Sequence, residues 1–321
     1  MKQRGSRILM AVMAAGFLAG MAALLYPTVS SVWNSYRDSQ LIAAYEAQVE
    51  SAVDDGVDYS AEWEAAYAYN DELEPVILPD SFAQATTPWE DDEDYASVLN
   101  VMGNGMMGYI SIPTIGVKVP IYHSTEDDVL AKGAGHLLGS SLPVGGEGSH
   151  AVISAHCGLP GKALFTDLDL LQIGDQFYIY VLDEVLAYEV DQIEVVEPTD
   201  TSLLVPVEGE DYVTLVTCTP YGVNSHRLLV RGHRVDYDPD AEASTTAVVS
   251  FKTNYLAWAL SGLAVTAALL WCVNRLLKRR RRKADRRAEG RANAAAAAAA
   301  TRIDRGENAP SPAGGGERKR E

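Results

Sequence analysis

Two uncharged apolar runs bracket the chain, residues 8–26 and 255–273, each about long enough to cross a bilayer as a helix. Between them the periodicity changes twice. Over residues 28–78 apolar side chains recur at three-to-four spacing, with Val32, Tyr36, Leu41, Ala44, Tyr45 and Val49 in one stretch and Trp63, Ala66 and Tyr67 in a second over 60–73. This pattern predicts helices, which either pack on a neighbouring domain or act as a stalk. From 75 to 99 the period disappears, prolines enter and an acidic run occupies 90–94, which predicts a loop. Beyond Gly108 come short β-branched and aromatic runs at 109–113, 117–122, 151–156, 176–181, 185–195, 212–218 and 226–231, the pattern of strands separated by turns. Residues 126–132 read as a helical turn, 133–146 as a glycine-rich connection and 199–205 as a short crossover.

Charge sharpens this outline. The 321-residue chain has a net charge of −18, distributed very unevenly. Three basic and no acidic residues precede Pro27, 8 basic and 38 acidic residues lie from Pro27 to Asn254, and 15 basic against 6 acidic residues follow. Basic residues thus flank both apolar runs on their outer sides, and the positive-inside rule places both termini in the cytoplasm and residues 27–254 outside. A cleaved signal peptide is the alternative for the first run. The run is longer than a usual signal core and no clean small-x-small site follows, which favours an uncleaved anchor. The acidic exterior disfavours nucleic acid as a partner, and the late Arg/Lys cluster is read as a stop-transfer signal. The acidic run 90–94 lacks the ligand spacing of a calcium loop, and no metal or cofactor site is expected. Three cysteines, with Cys272 inside the second apolar run, make no disulfide framework.

The chemistry concentrates in one hairpin. Tyr212, Thr214, Val216 and Cys218 share a strand face, turn formers Pro220, Gly222 and Asn224 follow, and an antiparallel partner starting near His226 brings Arg227 beside Cys218. A lone strand cysteine is commonly an inert core residue, whereas a thiol beside a fixed cation is a candidate nucleophile. The strand at 151–156 ends in His156. If it runs parallel beside 212–218, imidazole and thiol meet at one rim.

Two segments carry a family resemblance. Thr-Cys-Thr-Pro-Tyr-Gly-Val-Asn-Ser-His-Arg-Leu-Leu-Val-Arg-Gly at 217–232 and Ser-Ala-His-x-Gly-Leu-Pro at 154–160 resemble the active-site segments of sortases, membrane-bound cysteine transpeptidases of Gram-positive bacteria, and most of all their class C, pilus-building branch. The resemblance implies a mainly β fold, an eight-stranded mixed β-barrel with N-terminal helices before it, flanked here by two transmembrane helices. It implies His156, Cys218 and Arg227 as catalytic residues. It further implies a lid, and Thr87-Pro88-Trp89 sits where class C sortases carry Asp-Pro-aromatic. The proline and aromatic match and the aspartate does not, which leaves open whether the lid makes an ion pair with Arg227. Cys157 stands where that branch usually has a basic residue. Because neighbouring strand residues face opposite ways, no bridge to Cys218 is expected.

The expected organisation is a cytoplasmic start at 1–7, a transmembrane helix at 8–26, an extracellular helical segment at 27–83 and a lid loop at 84–97. A catalytic barrel at 98–240 follows, then a linker at 241–254, a second transmembrane helix at 255–277 and a basic, disordered cytoplasmic tail at 278–321. The implied reaction cleaves a Leu-Pro-x-Thr-Gly-like sorting signal between Thr and Gly through a Cys218 acyl-enzyme and passes the acyl group to a pilin lysine. The implied partners are pilin subunits and the membrane. Rival readings are a housekeeping sortase that serves the cell wall, a cysteine peptidase that transfers to water, and a non-catalytic membrane scaffold.

Overall fold

Alternating apolar positions on short strands can be buried on both faces only if the sheet closes and its outside is covered, and this chain does both. A computed structural model describes residues 2–73, 80–82, 89–159, 161–248 and 255–304, in two units, Met1–Ala259 and Leu260–Glu321. In the first unit β1 (Met106–Ile112), β2 (Val117–His123), β3 (Ala134–His136), β4 (Ser149–Ser154), β5 (Gln176–Val181), β6 (Glu184–Val196), β7 (Asp211–Thr219) and β8 (His226–Val235) form the barrel. Its order is β1-β2-β3-β4-β7-β8-β6-β5, closed. The β2–β3 and β4–β7 pairs are parallel, so the expected eight-stranded mixed barrel is the observed one. Strand β3 lies inside the expected glycine-rich connection. A Cβ on its Gly135 would stand 2.2 Å from the Ser124 carbonyl oxygen, so close backbone approach, not turn formation, requires this glycine.

Helices cover part of the outside. α1 runs over Lys2–Asp54 and α2 over Ser60–Glu72. Ile42, Tyr45 and Val49 of α1 are buried in the core, and the Tyr45 hydroxyl donates to the Met107 carbonyl (3.1 Å) while accepting from the Leu182 amide (2.8 Å). In α2, Trp63 Nε1 donates to Asp183 (3.0 Å), and the Asn70 side chain exchanges hydrogen bonds with the Leu142 backbone. These helices are packed parts of the domain, not a stalk.

Among the described residues no single helix is long and apolar enough to cross a membrane. Ala15–Ala23 and Leu25–Asp54 pass that test together, across a 41° bend, and Leu260–Leu276 is a shorter apolar helix. Pro27 inside α1 has no N–H for the carbonyl of Ala23, a sufficient cause for a bend there.

Three expectations need correction. Part of the loop expected at 84–97 is helical: Trp89–Asp91 forms a 3₁₀ turn and α3 spans Glu93–Ser97, its N-terminus capped by Asp92, which accepts from the Tyr95 amide at 3.1 Å. The acid run supplies the cap and a first turn of negative charge, both favourable at a helix start. The start of the expected linker belongs to the domain. α5 (Pro239–Ser244) places Glu242 to accept from Ser111 (2.8 Å), Tyr180 (2.6 Å) and Tyr237 (3.0 Å), and the Val248 amide reaches the Thr114 carbonyl at 2.7 Å. The expected disordered tail is helical as far as Asp304, because α6 spans Tyr255–Asp304 and its alanine run has the highest helix propensity of any residue type. Residues 305–321 lie outside the described ones.

Two histidines are locked neutral in the barrel wall. His136 is fully buried between Tyr95 OH (2.9 Å) and the Ser141 carbonyl (2.8 Å). His150 lies between the Val205 carbonyl (3.1 Å) and Thr214 Oγ1 (2.7 Å). Burial pushes each down to about 4. The unfolded chain takes up these protons near pH 6.5 and the folded chain does so only near pH 4. Each histidine therefore withdraws stability as pH falls through that window, by about 3 kcal/mol in full. Thermal unfolding of the full chain, followed by near-UV circular dichroism between pH 7 and 4, is expected to show a smaller loss in His150→Gln than in wild type.

Candidate active site

Strand register sets the site. In the antiparallel β7–β8 pair Cys218 is directly opposite Arg227, so thiol and guanidinium project from one face as the hairpin pattern predicts. In the parallel β4–β7 pair Ser154 is level with Val216, and two residues further along each chain stand His156 and Cys218. Beyond the end of β4 the Ala155 amide donates to the Val216 carbonyl (3.1 Å) and Thr217 Oγ1 to the Ala155 carbonyl (2.7 Å), which carries the parallel alignment on toward His156. The loop that follows is pinned back at its far end, where the Phe165 amide donates to the His156 carbonyl (3.2 Å) and the Gly158 amide to Thr166 Oγ1 (3.0 Å).

By strand alternation, the face that carries these three residues also carries Val152, Val216 and Leu229. With Leu137 and Leu204 they form a buried apolar cluster separate from the main core, and Phe82, Val196 and Leu203 pack on it. The rim chemistry therefore stands at the end of an apolar floor.

A short segment covers this floor. Asp80 takes both ends of the Arg227 fork, with Nε to Oδ1 at 2.8 Å and Nη2 to Oδ2 at 2.6 Å, a bidentate pair of the strong, directional kind. Phe82 lies 5.0 Å from the guanidinium carbon and 5.7 Å from the His156 ring, tilted by 38°. Burial raises the Cys218 thiol above its usual range; Arg227 pulls it back and Asp80 adds to the rise. Burial lowers His156, opposed by the negative charge of Asp127. Both shifts favour the neutral forms of thiol and imidazole.

Of the residues expected to form the lid, only Trp89 is described. Thr87 and Pro88 lie outside the described residues. Trp89 stacks on His123 at 5.0 Å and 14°, and meets Tyr95 edge-on, a packing role within the core. Among the described residues, those that cover the rim are Asp80 and Phe82, several positions earlier. Asp80-Ser81-Phe82 is an Asp-x-aromatic triplet, and it was the available signal. The proline before Trp89 made the later triplet look the better match.

His123, His136 and His150 are buried and hydrogen-bonded, while His226 pairs at the surface with Glu197 (3.3 Å). Cys157 Sγ faces the Thr166 carbonyl at 4.0 Å and no disulfide joins it to Cys218.

Known proteins with this pattern agree on a family. The Sortase domain family matches residues 110–235. Sortase A of Bacillus anthracis is 31% identical over 147 residues, 45% of this chain and 68% of that protein. Among solved structures, sortase C of Streptococcus pneumoniae is similar at 46% identity and a TM-score of 0.55, covering 62% of this chain and 97% of that one. Sortase C-1 of Actinomyces oris is similar at 44% identity and 0.53, covering 56% and 98%. With a cysteine and an arginine paired across two barrel strands and the family match running over residues 110–235, this chain belongs to the sortases, cysteine transpeptidases.

Proposed function

We propose that this sortase is a pilus-assembling enzyme of the class C type, with Cys218 as nucleophile, His156 as proton carrier and Arg227 as oxyanion partner. The observation that carries the reading is the Asp80–Arg227 pair with Phe82 over His156, a cover laid directly on the cysteine–arginine rim. Support for the pilin substrate comes from the similar proteins: the S. pneumoniae structure is described in terms of pilin substrate specificity, and Streptococcus agalactiae Pilus Island 1 sortase C2 is 46% identical, with a TM-score of 0.51. The apolar floor suits the Leu and Pro of a sorting signal.

In this reading His156 takes the Cys218 proton as the substrate enters, the thiolate attacks the carbonyl carbon of the signal's Thr, and the oxyanion forms beside Arg227, a permanent cation with several donors. His156 protonates the Gly amine as the C–N bond breaks, leaving a thioester. A pilin lysine amine then attacks the thioester and gives its proton to His156, which restores the thiol. Before any of this the substrate must displace Asp80 and Phe82. The apolar stretches of α1 and α6 serve as membrane anchors, with the barrel outside the cell and both termini inside.

Cys218→Ala is expected to abolish the acyl-enzyme, and His156→Ala and Arg227→Ala to lower turnover by about a hundredfold or more. Mass spectrometry of the full chain with a Leu-Pro-x-Thr-Gly peptide and candidate pilins would detect the thioester and an isopeptide product. A near-normal product from Cys218→Ala would overturn the mechanism, and a free carboxylic acid as the sole product would make the enzyme a peptidase. Asp80→Ala is expected to lower the pH at which Cys218 becomes reactive to iodoacetamide and to raise its labelling at pH 7 about tenfold, because an opposing charge is removed while Arg227 stays. Phe82→Ala should also raise labelling and move its onset to lower pH, because burial is the main cause that holds the thiol up.

A further inference from the structure

The loop after His156 has two points of attachment. Its far end is fixed in the core, where Leu164, Phe165 and Thr166 are buried. Its middle is held from outside the barrel by α1. Asn34 Nδ2 donates to the Gly161 carbonyl at 2.9 Å, and Lys162 Nζ pairs with Asp38 at 3.4 Å, the two side chains only 11% and 9% exposed. The same ammonium donates to the Lys132 carbonyl, just past the short helix α4 (Asp127–Leu130) whose Asp127 is the charged group acting on His156. Lys162 therefore joins α1, the histidine loop and the end of α4 at one point.

Such a pair is a poor device for stability. Burial raises the Asp38 carboxyl in spite of Lys162 and Arg37, so desolvation outweighs the attraction, as it commonly does for ion pairs shut away from water. What it fixes is geometry. In a region where 8 bases face 38 acids, one of the few lysines is placed under cover to bind a single carboxylate and a single carbonyl.

We infer that Asp38, Lys162 and Asn34 are positioning residues for the transpeptidation, through which α1 holds the loop that aims His156 at the reacting amine. The inference rests on His156 as the proton carrier. None of the three touches the thiol or the cover, and their effect reaches the chemistry only through the loop and through the Asp127 helix. The groups that face His156 are Asp127 from α4, Phe82 from the covering segment, and the Cys218–Arg227 rim with its Asp80. The groups that face Asp38 are Lys162 and Arg37.

The test uses the full chain and a fluorogenic peptide carrying Leu-Pro-x-Thr-Gly, with kcat and KM measured from pH 5.5 to 9. Asp38→Asn and Lys162→Met are each expected to lower kcat about tenfold with KM within about twofold, since a misplaced proton carrier costs rate and not binding. Both should also move the pH limb that His156→Ala removes. Asp38→Glu and Lys162→Arg, which keep the charges, should recover most of the rate. Asn34→Ala loses only the Gly161 bond and should give a smaller fall of the same kind, which keeps the test open if a charge variant fails to fold by near-UV circular dichroism. Folded variants with unchanged kcat and pH profile would overturn the inference while a dead His156→Ala leaves the mechanism standing. A fully active His156→Ala would instead overturn the mechanism itself.

Discussion

Everything at the site depends on the register of β7 between two different neighbours. The antiparallel bond pattern with β8 sets Cys218 against Arg227, and the parallel pattern with β4 sets the residues beyond Ser154 beside those beyond Val216. A slip of one residue in either pair would send the cysteine into the barrel interior and turn the arginine to the wrong face. The register is pinned from inside, where Ile153, Leu215, Leu228 and Val230 are buried in the main core, and from outside, where Val152, Val216 and Leu229 are buried in the second cluster. A one-residue slip would exchange the two sets and carry the polar rim groups of the second face into the main core.

The electrostatics follow from that frame. An acidic domain has little positive charge to spend, and among its described bases several are bound one to one: Arg227 to Asp80, Arg231 to Asp191, Lys162 to Asp38. At the rim this pairing has a chemical effect. Burial pushes the Cys218 thiol toward its neutral form, Arg227 opposes this, and Asp80 adds to the rise.

The cover and the helix α1 act on opposite sides of the same histidine. Phe82 lies against the His156 ring, while Asn34 and Asp38 hold the loop that leaves it. Rim residues are thus set by the barrel and covered by Asp80 and Phe82, while α1 contacts the histidine loop at Gly161 and Lys162.

Local pattern in the chain determined the strands, the packed helices before the barrel, the hairpin pairing of Cys218 with Arg227 and the placement of His156 at a strand end, because period, turn residues and alternation are properties of neighbouring residues. The family's segments at 154–160 and 217–232 added the reaction type. Tertiary structure decided the rest. Gly135 reads as part of a glycine-rich connection and is a strand residue, and its contact with the Ser124 backbone explains the missing side chain. Trp89 reads as a lid and packs against the core, because His123, remote in sequence, stacks on its ring while the nearby Tyr95 meets its edge. Asp80 was one acid among 44 until the fold placed it 147 residues away in sequence, on Arg227. Contacts of that range are made by the path of the chain through space, and no local spacing records them.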